Sequence, residues 1–358
     1  MLVDKQDFKR VLTEAETFPA LPQNVNRILI LSNSSETSLK EIGDVILQDA
    51  SLATRFLRMV NSSYYGLAHE VTDIHQAVSL LGGDVIRDIA ITLSLMDVFP
   101  IRQAKEYEIL FEESLTAAIA ADLIMQVVHR VQDSGVFLAA LLTNLGAFVF
   151  MRYLPDSYFK LIQEARKRRL DLRAVERLYL GLDQLEAARL IVQRWNLPLK
   201  IRKCFSQSFD RLRELDENER DDSNHICIYA KLGKLAAEIF YQWNVAEKIA
   251  RFKNEMEDFF DISSETAEDV LSALPQTVND SGFKQSIGFQ PLPDFQRVQR
   301  IAEEELIVNH QNYEATYAEL FSCHERIENL QKEKKKLEND LNHCQTLLRK
   351  VVFKLKKK

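Results

Sequence analysis

Apolar side chains through the first hundred residues recur three and four positions apart, the spacing of amphipathic helices, and no alternating strand pattern competes. The segment Phe18-Pro19-Ala20-Leu21-Pro22 puts proline where a helix opens, and Val25, Ile28 and Leu29 follow at helical spacing. Ser38 is positioned to cap a second helix with Ile42, Val45 and Ile46 on one face, and Ser51 a third carrying Leu52, Phe56, Leu57 and Val60. Asn61-Ser62-Ser63-Tyr64-Tyr65-Gly66 supplies turn chemistry, with Gly66 expected at positive φ. Ala77, Leu80 and Leu81 precede Gly82-Gly83, after which Val85, Ile86, Ile89 and Leu93 begin a further helix.

The second half of the pattern is built around the stretch 136–151, which carries no charged side chain. A helix apolar all round is a buried central helix or a membrane span, and this one falls short of the roughly 20 residues a bilayer needs. The expectation is one continuous core helix, with Thr143 and Asn144 as a buried polar pair that must find partners. Leu115, Ala118, Ala121, Ile124 and Val127 mark a long helix before it, and residues 156–169, 171–180, 183–195 and 198–209 read as helices after it. An acidic loop is expected over 210–222, a helix over 225–243, and a last helix opened by Ser263 and ending near Leu274. Residues 275–293, with Gly282 and Gly288, read as a linker.

Beyond the linker the period becomes a heptad, free of proline and glycine from Asp294 to Lys356. Its seam runs through Leu320, Cys323, Ile327, Leu330, Leu337, Leu341, Cys344, Leu348 and Val351, which predicts self-association through residues 306–355 as a coiled coil, most simply a dimer. The alternative is one long helix packed back on the globular part.

Composition narrows the class. The chain has 358 residues, 46% apolar and 28% charged, enough for a substantial core. Its net charge of -7 is uneven: residues 331–358 hold ten Lys or Arg against three acids, leaving -14 on the rest, so nucleic acid is not an expected partner. The basic end, interleaved with Val351, Val352, Phe353 and Leu355, suits weak contact with an anionic membrane surface or an acidic partner, or simply solubility. The opening residues lack the pattern of a signal peptide, so a cytoplasmic location is expected. Cys204, Cys227, Cys323 and Cys344 show no zinc-site spacing and are expected as free thiols, with no cofactor.

Four motifs carry a resemblance: Phe18-Pro19-Ala20-Leu21-Pro22, Ile46-Leu47-Gln48-Asp49-Ala50-Ser51-Leu52, Asn61-Ser62-Ser63-Tyr64-Tyr65-Gly66 and Ala77-Val78-Ser79-Leu80-Leu81-Gly82. They resemble the hallmarks of the HDOD family, over roughly residues 5–250, with Ala50 where the family usually has proline. The resemblance implies a two-lobed, all-α, HD-like fold without a generally established enzymatic activity, found mostly in bacterial signalling proteins. The motif residues are Asn61, Ser62, Tyr65, Gly66, Leu81 and Gly82. Expected boundaries are an N-terminal lobe over 1–103, an HD-like lobe over 104–274, the linker over 275–293 and the coiled coil over 294–358.

Leu-Leu-Thr143-Asn144-Leu-Gly likewise resembles the signature of the HD phosphohydrolases, in which His-Asp occupies the middle and holds a catalytic metal. By the same comparison Glu113 stands in a first histidine's slot, Gln184 in a further one, Gln207 and Ser208 in those of a His-His pair, and Lys231 in that of the closing aspartate. Such a site needs imidazoles and carboxylates converging on one ion, and one carboxylate facing a lysine does not supply them. None of His69, His75, His129 or His225 falls in a slot; the other reading is that Asp183, Asp88 or Glu176 supplies ligands from unexpected positions. Lys231 is expected to lie partly buried against Glu113 or Asn144. Gly82-Gly83-Asp84 lacks a P-loop lysine and reads as a helix start, and the cations around Arg166 to Arg169 as a solvated helix end.

The expected function is a non-catalytic signal-transduction module that binds a signalling protein, for which a kinase, a response regulator or a cyclic-nucleotide enzyme are candidates, while the coiled coil sets valency. The competing classes are a divergent metal-dependent phosphohydrolase and a cyclic-nucleotide sensor using the vacated pocket around Asn144, Gln184 and Lys231.

Overall fold

The computed structural model describes residues 20–32, 38–99, 105–129, 135–168, 170–215, 222–241, 244–281 and 290–308, with residues 326, 331, 334 and 335. Among them the regular elements are helices and there is no strand. The N-terminal lobe packs α1 (Gln23–Ser32), α2 (Leu39–Leu47) and α3 (Ala50–Val60) against the long α4 (Ile74–Val98). Val25, Ile28, Ile42, Ile46, Phe56 and Val60 form its buried face, at the positions their period predicts. Ser38 caps α2, but the third cap is Asp49, which accepts the Leu52 N–H at 3.0 Å. Ser51 lies inside the first turn: a carboxylate three residues before an N–H reaches it where the hydroxyl, already within the helix, does not. Gly82, at φ 78 and ψ 163, kinks α4 into two segments in a conformation that other residues avoid.

The second lobe centres on α5 (Lys105–His129) packed lengthwise on α13 (Asp222–Tyr241). Around them follow α6 (Val136–Leu141), packed on both, α7 (Leu145–Tyr153), α8 (Pro155–Lys167), α9 (Leu172–Leu180), α10 (Gln184–Arg194), packed on α7, and α11 (Leu199–Lys203) and α12 (Phe209–Arg213), packed on α13. The helix α14 (Val245–Phe260) packs on α13, and α15 (Ser264–Asp280) packs on α5 and α14. Helix α12 replaces the start of the expected acidic loop, because Ser208 accepts the Arg211 N–H at 3.1 Å and Leu212 is buried. Contrary to the expectation from its length, the stretch Val136–Tyr153 is by length and composition alone sufficient to cross a membrane, yet the fold buries most of it.

Two further expectations are corrected. The core helix is broken by a 3-10 turn at Leu142–Asn144. Helix α15 does not stop near Leu274: it continues through Pro275 to Asp280, so the linker begins later than residue 275. An interior proline costs about 3 kcal/mol, and burial of Leu271, Leu274, Pro275 and Val278 along one face offsets it. After the undescribed 282–289, Leu292 is tied back by the Asn279 side chain, which accepts its N–H at 2.9 Å and donates to its C=O at 3.2 Å.

The chain divides into a unit over Met1–Ile301 and another over Ala302–Lys358. In the second, residues 302–308 are helical, with Leu306, Ile307 and Val308 exposed. The seam positions from Leu320 to Val351 lie outside the described residues.

Candidate functional site

The broken core helix makes the centre of the second lobe. Thr143 Oγ1 donates to the Ala140 C=O at 2.7 Å, a local hydrogen bond that competes with the helical ladder. Asn144 then takes φ -92 and ψ 7, which aims its side chain between α5 and α13. There its Oδ1 accepts from Lys234 Nζ at 2.7 Å and its Nδ2 donates to Ser114 Oγ at 3.2 Å. Ser114 Oγ passes the chain on to the Leu110 C=O at 2.8 Å. Asn144 is 2% exposed, so these partners stand where water cannot. On its outer side Lys234 approaches Glu238 at 4.0 Å, and Glu238 meets Lys248 at 3.2 Å.

A second layer lies under the start of α10. Gly146 allows α7 to touch it: a Cβ there would stand 1.8 Å from the Gln184 carbonyl oxygen. The Gln184 N–H donates to Glu176 Oε2 at 2.8 Å, and Tyr158 Oη donates to Glu176 Oε1 at 2.6 Å. Burial pushes the Glu176 carboxyl up to about 7, against the pull of these two hydrogen bonds and of Lys234. Asp183 caps α10 in a reciprocal pairing with Glu186 and takes ion pairs from Arg173 at 2.9 Å and Arg177 at 2.8 Å. Burial opposes its charge, yet the Glu186 N–H and the guanidinium groups hold the carboxyl below the ordinary range.

The residues singled out by motif divide into two groups. Thr143, Asn144 and the Gln184 backbone belong to the centre, and Glu113, buried on α5 beside Ser114, acts electrostatically on Tyr158 and Tyr241. Gln207, Ser208 and Lys231 do other work. Gln207 Nε2 donates to Asn224 Oδ1 at 3.0 Å, and Ser208 is the cap of α12. The expectation for Lys231 is corrected: the ammonium that meets Asn144 is Lys234, while Lys231 lies over the Phe209 ring at 6.0 Å and beside Cys204 and Cys227. Sequence comparison also missed Ser114 and Lys234; the spacing Lys231-x-x-Lys234-x-x-x-Glu238, two cations facing one helix turn, was the available signal.

A catalytic metal does not fit this centre. Among the described residues no three His, Cys, Asp or Glu side chains converge in a way that could hold an ion. The alternative ligands are engaged elsewhere: Asp183 and Glu176 as above, and Asp88 by Arg87, whose Nη2 reaches it at 2.8 Å. An ammonium hydrogen-bonded to Asn144 repels a divalent cation from the position where it would sit.

The family motif at the lobe boundary is structural in its visible contacts. The Asn61 side chain accepts the Val71 N–H at 2.7 Å and donates to its C=O at 2.8 Å, while Tyr64 hydrogen-bonds Asp122 of α5 and stacks edge-on against Tyr65 at 5.0 Å. Burial, eased by the Tyr64 hydrogen bond, pushes Asp122 up to about 7. Ser62 is buried, Leu81 half-buried, and Gly66 and Gly82 both have positive φ.

The sequence model of the HDOD domain matches residues 18–211. The chain belongs to the HDOD domain family. The match starts later and ends earlier than the motifs suggest, but it includes all four of them. Solved structures share the HDOD fold over most of the chain. An HDOD domain protein of unknown function from Geobacter sulfurreducens superposes with a TM-score of 0.56 at 18% identity, covering 76% of this chain and 96% of its own. A proposed phosphohydrolase from Shewanella amazonensis SB2B gives 0.58 at 16%, covering 77% and 97%. A proposed signal-transduction protein from Marinobacter aquaeolei VT8 gives 0.55 at 19%, covering 80% and 66%. An uncharacterized protein of Treponema pallidum (strain Nichols) is 24% identical over 183 residues, 51% of this chain but 36% of that protein, so the match spans about a third of that relative's length.

Proposed function

We propose that this HDOD domain is a non-catalytic binding module in bacterial signal transduction, whose centre has exchanged a metal for a fixed hydrogen-bonded chain. The observation that carries the reading is the Lys234 Nζ to Asn144 Oδ1 hydrogen bond of 2.7 Å. It puts a cation and a neutral amide where hydrolysis of a phosphodiester requires an ion and its activated water. With the centre serving stability, recognition falls to the surface, and the partner is a signalling protein such as a kinase, a response regulator or a cyclic-nucleotide enzyme. The heptad segment then joins copies through residues 306–355 and gives the module more than one binding head.

The test pairs metal analysis with an attempted repair. Purified protein is expected to hold manganese, iron and zinc far below one equivalent. The variant Thr143→His with Asn144→Asp is expected to turn over no phosphodiester when those metals are added, because Lys234, Gln184 and Lys231 are unchanged. Near-stoichiometric metal in the wild-type protein, or turnover by the repaired variant, returns the domain to the phosphohydrolases. Saturable calorimetric binding of a cyclic dinucleotide to the wild-type protein, abolished by Lys234→Met, makes it a small-ligand sensor instead.

A further inference from the structure

Apart from the Asn144 centre, the fold brings together two cysteines that the sequence keeps 23 positions apart. Cys204 closes α11, and Cys227 lies in the second turn of α13. Their sulfurs are 2.7 Å apart, and a disulfide bond is about 2.0 Å, so little movement separates the pair from a covalent link. Cys204 is 6% exposed and Cys227 fully enclosed, which makes Cys204 the sulfur that an oxidant in solution meets first. One turn beyond Cys227 on the same helix, Lys231 holds its ammonium within electrostatic reach of both sulfurs. That ammonium lies over the Phe209 ring at 6.0 Å, and the same ring carries the Arg251 guanidinium at 5.7 Å. Burial pushes the Cys204 thiol well up and its hydrogen bond with Cys227 adds to this, while Lys231 draws it back toward the thiolate. Burial disfavours the Lys231 charge, the two thiols favour it, and Arg173 and Lys234 oppose it.

We propose that Cys204 and Cys227 form a reversible dithiol–disulfide site, closed by a hydroperoxide, with Lys231 as the positioning residue that favours the attacking thiolate. The Cys204 thiol gives its proton to water, and the thiolate attacks one peroxide oxygen. The O–O bond breaks, and the departing hydroxide takes up a proton as water, leaving a sulfenic acid on Cys204. The Cys227 sulfur then attacks the Cys204 sulfur, the S–O bond breaks, and the leaving hydroxide departs as water with the Cys227 proton. Two thiols have lost two electrons and two protons, and one hydrogen peroxide has become two waters. The bond ties the turn after α11 to α13 and encloses the segment that carries α12 and the Gln207–Asn224 hydrogen bond.

The experiment uses the full chain with Cys323→Ser and Cys344→Ser, so that this pair alone can react. Protein treated with hydrogen peroxide is quenched, denatured, alkylated with iodoacetamide and weighed. The expected product has lost the mass of two hydrogen atoms, takes up no label, yields a peptide joining Cys204 to Cys227, and regains both thiols with dithiothreitol. Its Tm rises by roughly 5–10 °C over the reduced form, as closing a loop of this length implies. Lys231→Met slows the reaction roughly three- to tenfold and reaches the same link. Full alkylation of both cysteines under conditions that oxidise free cysteine completely, or oxygen added to Cys204 without the joined peptide, overturns the site. Oxidation of Lys231→Met at the wild-type rate overturns the role of Lys231.

Discussion

Replacing Lys234 with Met keeps an aliphatic stem and removes the ammonium that reaches Asn144 Oδ1 at 2.7 Å. Asn144 is 2% exposed, so water cannot take the donor's place without opening the centre, and the orphaned carbonyl costs about 1–3 kcal/mol. The ion pair with Glu238, at 4.0 Å between half-buried groups, adds at most about 0.5 kcal/mol, since Lys248 continues to neutralise Glu238 at 3.2 Å. Relief from burying a cation offsets part of this. The balance is a loss of about 2 kcal/mol, or a Tm lowered by about 3 °C. Urea unfolding followed by far-UV circular dichroism measures it, alone and in an Asn144→Leu background. In that background the carbonyl is gone, so Lys234→Met is expected to change stability by less than about 0.5 kcal/mol, a coupling of about 1.5–2 kcal/mol. Equal losses in both backgrounds would show that Lys234 acts by packing or long-range charge, and the reasoning about the centre fails.

Gly146→Ala places a Cβ 1.8 Å from the Gln184 carbonyl oxygen, so backbone must move; a loss above about 3 kcal/mol or insoluble protein is expected, against a much smaller loss for Gly43→Ala, whose clash is with the rotatable His75 ring. The Glu176 carboxyl, raised to about 7 from 4.5, contributes stability that is full below about pH 4.5 and is lost as pH rises through 7. Its contribution is on the order of 2–3 kcal/mol, so the stability difference between wild type and Glu176→Gln should narrow or reverse from pH 5 to pH 8, and a difference independent of pH refutes the raised value. In the heptad segment, Cys323 and Cys344 are 21 residues apart and share one seam position. Single-cysteine chains keeping either one, in a background lacking the others, should each form a covalent dimer after mild oxidation if the helices run parallel and in register. Failure of both, with a dimer by light scattering, means an antiparallel or folded-back helix.

The helices were legible because burial enforces period: Ile42, Val45, Ile46, Phe56 and Val60 are buried where their spacing puts them. Breaks were less legible. The core helix gives way to a 3-10 turn at Leu142–Asn144, and an apolar run has no periodicity in which that interruption could register. Helix α15 passes Pro275 because tertiary burial outweighs a local penalty, a balance that propensity alone cannot weigh. The site was half legible for a related reason: motif matching singled out Asn144 at the centre but not the Lys234 ammonium that meets it.

Helix geometry explains why Lys234, and not Lys231, meets Asn144. Three residues advance about 4.5 Å along a helix and turn about 300°, so the two lysines point about 60° apart on α13. That angle is enough for Lys234 to reach Asn144 at 2.7 Å while Lys231 faces Phe209 at 6.0 Å and the two thiols. A single charge placed between the two sites would serve neither, since a hydrogen bond fails beyond about 3.5 Å. Two cations on adjacent faces let one helix hold both a neutral amide and a thiol pair. The substitution of Lys231 should therefore leave the Lys234–Asn144 hydrogen bond in place, and that of Lys234, whose charge opposes that of Lys231, should not slow the oxidation of Cys204.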